Sequence, residues 1–243
     1  MKRPLWLLFL VFASLPSAPV QQAESSYSTE IRVESRRAAA DFVPDANLNK
    51  EVWKRVPWIE FNRSMSGTLR YPEQTTRVAS VWTATSIYFA FLCKYDRLNF
   101  FEGEDIAKER WELWNRDVAE VFLNPQPERL THYYEFEVAP NNQWVDLEIT
   151  RGAQPNHDAS WNSGFEHAVR VDAKKHLWMV EMRIPLPPIG ASEIKPGTEW
   201  RVNFFRAAGQ GQDAQRKFLA WSSIPEGTTF HVPSRFGIVR FID

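Results

Sequence analysis

The sequence predicts an all-β protein, an antiparallel β-sandwich of the jelly-roll type with about ten strands and a few short helical turns. The aromatic content favours strands, because the 243 residues include 17 Phe, 6 Tyr and 11 Trp but only 10 Gly, and aromatic runs prefer extended structure. No segment has an amphipathic helical pattern of useful length, and turn residues separate short apolar segments throughout. The hydrophobic fraction of 44% and the charged fraction of 24% exclude a disordered chain and a multi-span membrane protein.

The first 23 residues have the pattern of a signal peptide. Lys2 and Arg3 precede an uncharged run over residues 4–15, which is too short to span a bilayer. Small side chains around residues 17–23 leave the cleavage position open, and an uncleaved anchor helix is the alternative. We therefore expect residues 1–23 to be removed on export, the protein to be secreted or periplasmic, and no membrane span to remain.

Charge and cysteine content narrow the range of partners. The formal charge is −1, and it falls to −3 without residues 1–23, because these contain Lys2 and Arg3 but no acid. A chain with this charge balance is not expected to bind a nucleic-acid backbone. Cys93 is the single cysteine and lies in an apolar run, so we expect a buried, unreactive thiol and no internal disulfide.

The first part of the chain predicts one early strand and one hairpin. Residues 24–40 form a polar N-terminal segment with a candidate first strand at residues 30–34. Residues 45–49 predict a turn and residues 50–53 one helical turn. The strongest hairpin signal covers residues 76–95, and its second strand is apolar on both faces. Such a strand is expected in the middle of a sandwich.

The rest of the chain predicts a polar insertion followed by further strands. Residues 97–116 are polar and predict a helical or loop insertion. Turn residues such as Asn124-Pro and Lys195-Pro-Gly separate the strands after it. These strands are predicted at residues 118–123, 132–138, 144–149, 165–171, 177–184, 200–206, 218–221 and 238–242. Without an internal repeat or a linker after residue 40, residues 41–243 are predicted to form one domain.

The sequence carries none of the common catalytic motifs. It has no nucleophile elbow, phosphate loop or dinucleotide fingerprint, and its five histidines are scattered without metal-ligand spacing. A glycosidase pair of carboxylates stays open among 30 acidic residues, although nothing singles one out. We therefore favour a binding protein over an enzyme.

The stretch from Trp111 to Phe122 carries the strongest binding signal. Trp114 ends a polar segment, and a flat aromatic face of this kind can stack on a pyranose while carboxylates bind its hydroxyl groups. Asp117 and Glu120 follow closely. Glu120 is predicted on an apolar strand face, where an acid is costly unless it serves a site or pairs with an arginine.

Seven motifs in order resemble carbohydrate-binding module family 9 over roughly residues 40–243. The resemblance implies a DOMON-like β-sandwich, often with structural calcium, that grips chain-end sugars between two aromatic rings. Such modules usually accompany glycoside hydrolases, and we expect this chain to be a stand-alone binder or a subunit of a polysaccharide-degrading system. The motifs are D-x-x-L-x-x-x-x-W at 45–53, T-R-V-x-x-x-W at 76–82, L-W-x-R-D-x-x-E-V-F at 113–122, Y-Y-E-F-E-V-A-P at 133–140, W-x-V-E-M-R-I-P at 178–185, W-R-V-N-F-F-R at 200–206 and P-S-R-F-G-x-V-R-F at 233–241.

The resemblance assigns a role to several residues of this chain. Trp114 matches the first clamp aromatic, and Asp117 and Glu120 match the acids beside it, Glu120 being the one that binds sugar hydroxyls. Phe230 takes the place of the second clamp aromatic, which is a tryptophan in the sugar-binding modules. Phenylalanine still stacks on a sugar, over a smaller area and without the indole N–H. The implied ligand is a mono- or oligosaccharide, including the chain end of a polysaccharide.

A second departure from the family pattern concerns charge. Glu137 stands where the sugar-binding modules have a basic residue. Its carboxylate would lie near that of Glu120 and weaken a sugar subsite by like-charge repulsion. Asn203 and Arg206 are candidate compensating donors, although residues three apart on a strand face opposite ways.

Calcium is the second partner that the resemblance implies, and no organic cofactor is expected. Asp45, Asn47 and Asn49 offer oxygen ligands at alternate positions but lack the glycine and terminal glutamate of an EF-hand loop. An Asx-turn before a short helix is the alternative interpretation of this trio. Asp96, at the end of the central strand, matches a family acid and is expected to be either a ligand or a turn former.

Two other functions stay open at this point. DOMON-like sandwiches also host b-type haem through methionine and histidine ligands, and the chain offers Met65, Met179 and Met182 together with its histidines. A structural or protein-interaction module that has lost sugar binding is the third alternative, because both Phe230 and Glu137 depart from the sugar-binding pattern.

Overall fold

The computed structural model describes residues 31–153, 155–209 and 215–243. The predicted signal peptide, residues 1–23, lies outside these ranges. Within them, no helix has both the length and the apolar character that a membrane crossing requires.

The regular secondary structure of the described residues consists almost entirely of strands, as the aromatic content predicts. It contains one short helix, α1 (Glu51–Lys54), and four single 3-10 turns at residues 72–74, 113–115, 187–189 and 233–235. The strands are β1 (Arg32–Arg37), β2 (Ile59–Phe61), β3 (Thr76–Trp82), β4 (Ser86–Lys94), β5 (Val118–Asn124), β6 (His132–Val138), β7 (Trp144–Thr150), β8 (Asn156–Asp158), β9 (Glu166–Asp172), β10 (Leu177–Pro185), β11 (Glu199–Ala208), β12 (Lys217–Ala220) and β13 (Gly237–Ile242).

The strands form one continuous sheet that folds back on itself. Its order is β8-β7-β6-β5-β11-β13-β1-β3-β4-β10-β9, with β12 added beside β11 and β2 beside β3. Strand β1 runs parallel to both of its neighbours, β13 and β3, and the remaining pairs are antiparallel. The predicted all-β sandwich is therefore confirmed, with β1 as the one departure from purely antiparallel pairing among the described strands.

The core lies between the two halves of the folded sheet. Phe89 and Phe91 of β4 pack edge-to-face against Phe204 of β11, with ring centroids 5.5 and 5.9 Å apart. Strand β4 is hydrogen-bonded on both sides, to β3 and β10, and most of its residues are buried. Its predicted place in the middle of the sandwich is confirmed, because a strand covered on both faces has no solvent-facing set of side chains.

Element boundaries follow the predictions closely except where elements are short. The hairpin over residues 76–95 forms as β3 and β4, and the predicted first strand at residues 30–34 is observed two residues later as β1. The polar insertion over residues 97–116 is a loop with a single 3-10 turn. Strands β2 and β8 are three residues each and carry no alternating pattern long enough to detect.

A second apolar layer covers the outer surface of each half of the sheet. On the half that contains β4, Trp53 of α1 packs with Val81 and Tyr88. On the other half, Val118 and Phe122 of β5 pack with residues of β6, β7 and β11. Strand β5 therefore lies between two apolar layers.

Glu181 of β10 holds the loop before α1 against the sheet. Its fully buried carboxylate accepts hydrogen bonds from the backbone N–H groups of Asp45 and Ala46, at 2.7 and 3.0 Å. It also accepts from the ammonium of Lys50 at 2.7 Å and from the indole N–H of Trp53 at 2.6 Å. One carboxylate thus satisfies four donors that the loop and helix bring to this face.

Replacing Glu181 by alanine should destabilise the fold strongly. The change leaves four donors without their acceptor, one of them a largely covered ammonium, so the free energy of unfolding should fall by about 3 kcal/mol or more. Urea denaturation followed by far-UV circular dichroism measures the effect. Glu51→Ala is the matched control, because its ion pair with Lys54 is exposed and should change the midpoint little. Equal midpoints for the two variants would contradict this role.

Candidate functional site

The candidate site lies on the outer face of β5 and β6. Because side chains alternate along a strand, Val118, Glu120 and Phe122 of β5 share this face. Glu120 is directly opposite Glu137 of β6 in the sheet register. On its other side Glu120 is opposite Phe205 of β11. The strand pairing therefore brings two acids together in an otherwise apolar surface.

A third acid, Glu135, completes a buried cluster. The exposed fractions are 1% for Glu120, 4% for Glu135 and 0% for Glu137. One carboxylate oxygen from each lies within 4.8 Å of the others. We call Glu120, Glu135 and Glu137 the glutamate cluster. Glu135 was missed by the sequence analysis, although its spacing of two residues from Glu137 places it on the same strand face.

The cluster is electrostatically strained. Burial raises the pKa of Glu135 to about 7. Burial, and then repulsion from neighbouring carboxylates, raises the pKa of Glu120 and of Glu137 well above the usual range. The guanidinium of Arg216 opposes these last two shifts without cancelling them. Each raised pKa means that the fold disfavours the charged carboxylate.

Two aromatic side chains named by the sequence analysis lie at this face. Trp114 follows the buried Leu113 in the 3-10 turn and is half-buried against the outer apolar cluster. Its indole meets that of Trp111 edge-to-face, with ring centroids 5.0 Å apart. Trp111 is 44% exposed. This pair presents aromatic surface to solvent beside β5.

Phe230 reaches the same apolar cluster from the segment before β13. Its ring stacks on Phe205 at 4.1 Å with an interplanar angle of 10°. Phe218 contacts it edge-on at 5.9 Å. One face of the Phe230 ring is therefore covered by Phe205.

Arg216 connects the segment that carries Trp114 with the glutamate cluster. Its guanidinium donates hydrogen bonds to the backbone carbonyls of Trp114 and of Arg116, the second at 2.8 Å. It also lies over the ring of Phe218, 5.0 Å from the centroid. No local motif points to Arg216, because its approach to the cluster depends on contacts about 100 residues apart in the chain.

Asn203 is on the outer-facing side of β11, but its amide is fully engaged by the backbone. The side-chain oxygen accepts from the N–H groups of Phe204 and Ser222, and the amide nitrogen donates to the carbonyl of Ser222 at 2.9 Å. Asn203 thus fastens the segment after β12 to the sheet.

Arg206 and Asp117 lie on the inner side of the sheet, away from the glutamate cluster. Arg206 is fully buried, and its guanidinium lies 4.8 Å from the ring centroid of Trp178. Burial raises the pKa of Asp117 to about 6, while attraction to Arg206 opposes the shift. The structure therefore brings these two residues together in the core, and separates both from Glu120.

His231 adds a neutral ring beside Glu135. The Tyr133 hydroxyl and the Nδ1 of His231 share a hydrogen bond of 2.9 Å, and the Nε2 of His231 lies 4.0 Å from a Glu135 carboxylate oxygen. Burial, and then the charges near it, lower the pKa of His231 to about 3. The ring is thus uncharged at neutral pH and supplies no counter-charge to Glu135.

In the loop that was predicted to bind calcium, the ammonium group of Lys50 supplies the positive charge. Asp45 accepts from the backbone N–H of Asn47 at 2.9 Å, and Asn47 accepts from that of Asn49 at 3.2 Å, which are Asx turns. The ammonium of Lys50 lies 2.8 Å from the Asp45 carboxylate. These contacts do not fit a calcium ion at the trio. Asp96 is exposed in the bend after β4.

The methionines considered as haem ligands do not converge. Met182 is buried in the core between the two halves of the sheet. Met179 lies on the opposite face of β10, where it lines a surface groove. Met65 packs at the edge of the outer apolar cluster around β5.

Residues 44–243 match the model of the family described as carbohydrate family 9 binding domain-like, and the chain belongs to that family. A relative from Arthroderma benhamiae, named an extracellular protein, is 24% identical over 203 residues, covering 76% of this chain and 87% of its own length.

Solved structures show the same fold. A candidate carbohydrate-binding protein from Bacteroides uniformis superposes with a TM-score of 0.68 at 16% identity, covering 88% of this chain and 100% of its own. A family 9 carbohydrate-binding module from Caldicellulosiruptor kristjanssonii, in complex with cellotriose, gives a TM-score of 0.63 at 16% identity, covering 87% and 94%. Its glucose complex gives 0.61 at 16% identity, covering 87% and 95%.

The stability of the protein should depend on pH through the glutamate cluster. A carboxyl group whose pKa is raised on folding keeps a proton that the unfolded chain has lost. The free energy of unfolding therefore decreases as pH rises from the ordinary glutamate value of 4.5 through the value of about 7 for Glu135. In the presence of a chelator, thermal melts across this range should show a falling melting temperature.

Glu137→Gln should weaken that pH dependence. The amide keeps the shape but removes one repelling charge, so the variant should exceed the wild type at alkaline pH by about 1 kcal/mol or more in free energy of unfolding. Glu128→Gln is the control, since Glu128 is exposed in the loop between β5 and β6. Parallel pH profiles for wild type and Glu137→Gln would show that the cluster is not the cause.

Proposed function

We propose that this chain is an exported, non-catalytic module that binds a saccharide at the outer face of β5, β6 and β11. The observation that carries the proposal is the arrangement of Trp114 and Phe230 on the apolar surface that contains Glu120 and Glu137. Aromatic faces bind the C–H surface of a pyranose, and carboxylates accept hydrogen bonds from its hydroxyl groups.

The aromatic rim is the first surface that a sugar meets. Trp111 is exposed, Trp114 and Phe230 are half-buried, and all three are held by neighbouring rings. Rings fixed in this way lose little conformational freedom when a ligand stacks on them. Glu120 and Glu137 are almost fully buried, so a sugar hydroxyl reaches them only after side chains at the rim shift. Stacking therefore supplies the initial contact.

Family membership supports the saccharide class. The Caldicellulosiruptor modules with the same fold were solved with cellotriose and glucose. We propose glucose-type sugars, including the chain ends of polysaccharides, as ligands of this chain, in the service of polysaccharide breakdown. Export is supported by the basic and apolar start of the sequence and by the extracellular designation of the Arthroderma relative.

Trp114→Ala should weaken saccharide binding by roughly tenfold or more, because it removes the exposed stacking surface. Isothermal titration calorimetry with glucose and cello-oligosaccharides measures the change. Trp58→Ala is the matched control, since Trp58 is also half-buried but lies on the other half of the sheet and stacks with Arg77. An unchanged affinity after Trp114→Ala, in a protein that binds sugar, would disprove the clamp.

Phe230→Trp should strengthen binding several-fold, because an indole offers a larger stacking area and an additional N–H donor. The ring of Phe230 already stacks on Phe205, so the variant must retain the wild-type melting temperature for the comparison to hold. Titration of intrinsic fluorescence with the same sugars provides the affinity. A loss of affinity at unchanged stability would exclude Phe230 as the second clamp position.

A further inference from the structure

We propose that Glu120, Glu135 and Glu137 bind a divalent cation, with calcium as the preferred ion. The cation site shares Glu120 and Glu137 with the proposed saccharide face, but binding of the cation does not require a sugar. It also differs from the calcium site expected at Asp45, Asn47 and Asn49, where Lys50 provides the positive charge.

The spacing of the carboxylates matches a metal coordination sphere. One oxygen from each glutamate lies within 4.8 Å of the others. Oxygen ligands of calcium lie about 2.3–2.6 Å from the ion, so two ligands on opposite sides of it are about 5 Å apart. The three carboxylates can therefore reach a common ion without a change in strand register. Strands β5 and β6, which carry them, are hydrogen-bonded directly to each other.

Glu137 gives an independent reason to expect a ligand. Its side chain is fully buried, and among the described residues no N–H group donates to either carboxylate oxygen, the polar neighbour being the carboxyl group of Glu135. One oxygen of Glu120 and one of Glu135 are unpartnered as well. Buried polar atoms are nearly always paired, because an unpaired one loses its hydration without compensation. A bound cation would satisfy these oxygens at once.

The charges around the cluster suit an ion of charge two. Within the described part of the chain, Arg216 is the cation that attracts the carboxylates of Glu120 and Glu137. His231, the titratable ring beside Glu135, is neutral. Cation binding displaces the protons of the cluster, and the three ionised carboxylates and one guanidinium then leave two negative charges in a buried site. A divalent ion balances them, whereas a monovalent ion leaves the site charged.

The donor atoms indicate a hard cation. All three side chains offer carboxylate oxygen, and the cluster contains no sulfur or nitrogen ligand. Oxygen-only sites select calcium or magnesium over zinc and copper. Calcium is preferred because it loses its water more readily than magnesium, which usually keeps several waters.

Calcium titration of metal-stripped protein at about pH 7.5, without sugar, tests the proposal. Calcium chloride should raise the melting temperature, and calorimetry should show one ion per chain. Glu137→Gln should abolish the calcium-dependent shift and weaken binding by roughly tenfold or more, since even outer-shell metal partners contribute that much. Magnesium chloride should act more weakly. The variant should fold, because the amide relieves repulsion among the remaining acids.

Two further measurements locate the ion. Asp45→Asn should keep the full calcium response, because it changes only the N-terminal loop. Terbium luminescence excited through tryptophan should appear in the wild type and disappear in Glu137→Gln, since Trp114 packs on the apolar cluster around β5.

Either of two results would overturn the proposal. If calcium chloride neither raises the melting temperature nor produces a heat of binding, the cluster holds protons rather than a metal. If Glu137→Gln responds as the wild type does, the ion binds elsewhere in the chain. Both readouts are taken without sugar, so their failure leaves the saccharide proposal intact. Equally, a loss of sugar binding in Trp114→Ala does not affect the calcium-dependent melting temperature or the heat of calcium binding.

Discussion

The central constraint on this molecule is that β5 and its neighbours are covered on both faces. One face packs into the core between the halves of the sheet, and the other packs under the outer apolar cluster. A strand in this position has no solvent-facing side, so each ionisable residue on it must be buried and compensated within the protein. This requirement applies to the charged residues on both faces of the sheet. Arg206 is stabilised by Trp178 and Asp117 in the core, and Glu120 is placed among acids on the outside.

Two buried carboxylates show how differently the fold treats an acid. Glu181 collects two backbone N–H groups, an ammonium and an indole N–H, so its negative charge stabilises the loop before α1. Glu137 receives none of these, although it is equally buried. The first arrangement is complete and structural. The second has no N–H donor within the described residues, and it is this difference that underlies the proposed cation site.

The sequence predicted most of the fold because the fold rests on local patterns. The hairpin over residues 76–95 and the strand at Val118–Asn124 have long apolar runs bounded by turn residues. The site was only partly predictable. Alternation alone could have added Glu135 to Glu137, whereas the approach of Arg216 and the ammonium of Lys50 between Asp45 and Glu181 depend on distant segments meeting. Contacts between residues that are far apart in the sequence determine which charges compensate each other, and no short motif predicts these contacts.

The parallel placement of β1 has a consequence for how the molecule assembles. Strand β1 lies between β13 and β3, so the first and last described strands together connect the two halves of the sheet. The hydrogen-bonded connection between the two halves is complete only when residues 237–242 pair with both β1 and β11. Contacts that span nearly the whole chain form slowly, because a long loop must close before they stabilise anything. This long-range pairing is therefore expected late in folding, after local hairpins such as β3–β4 have formed.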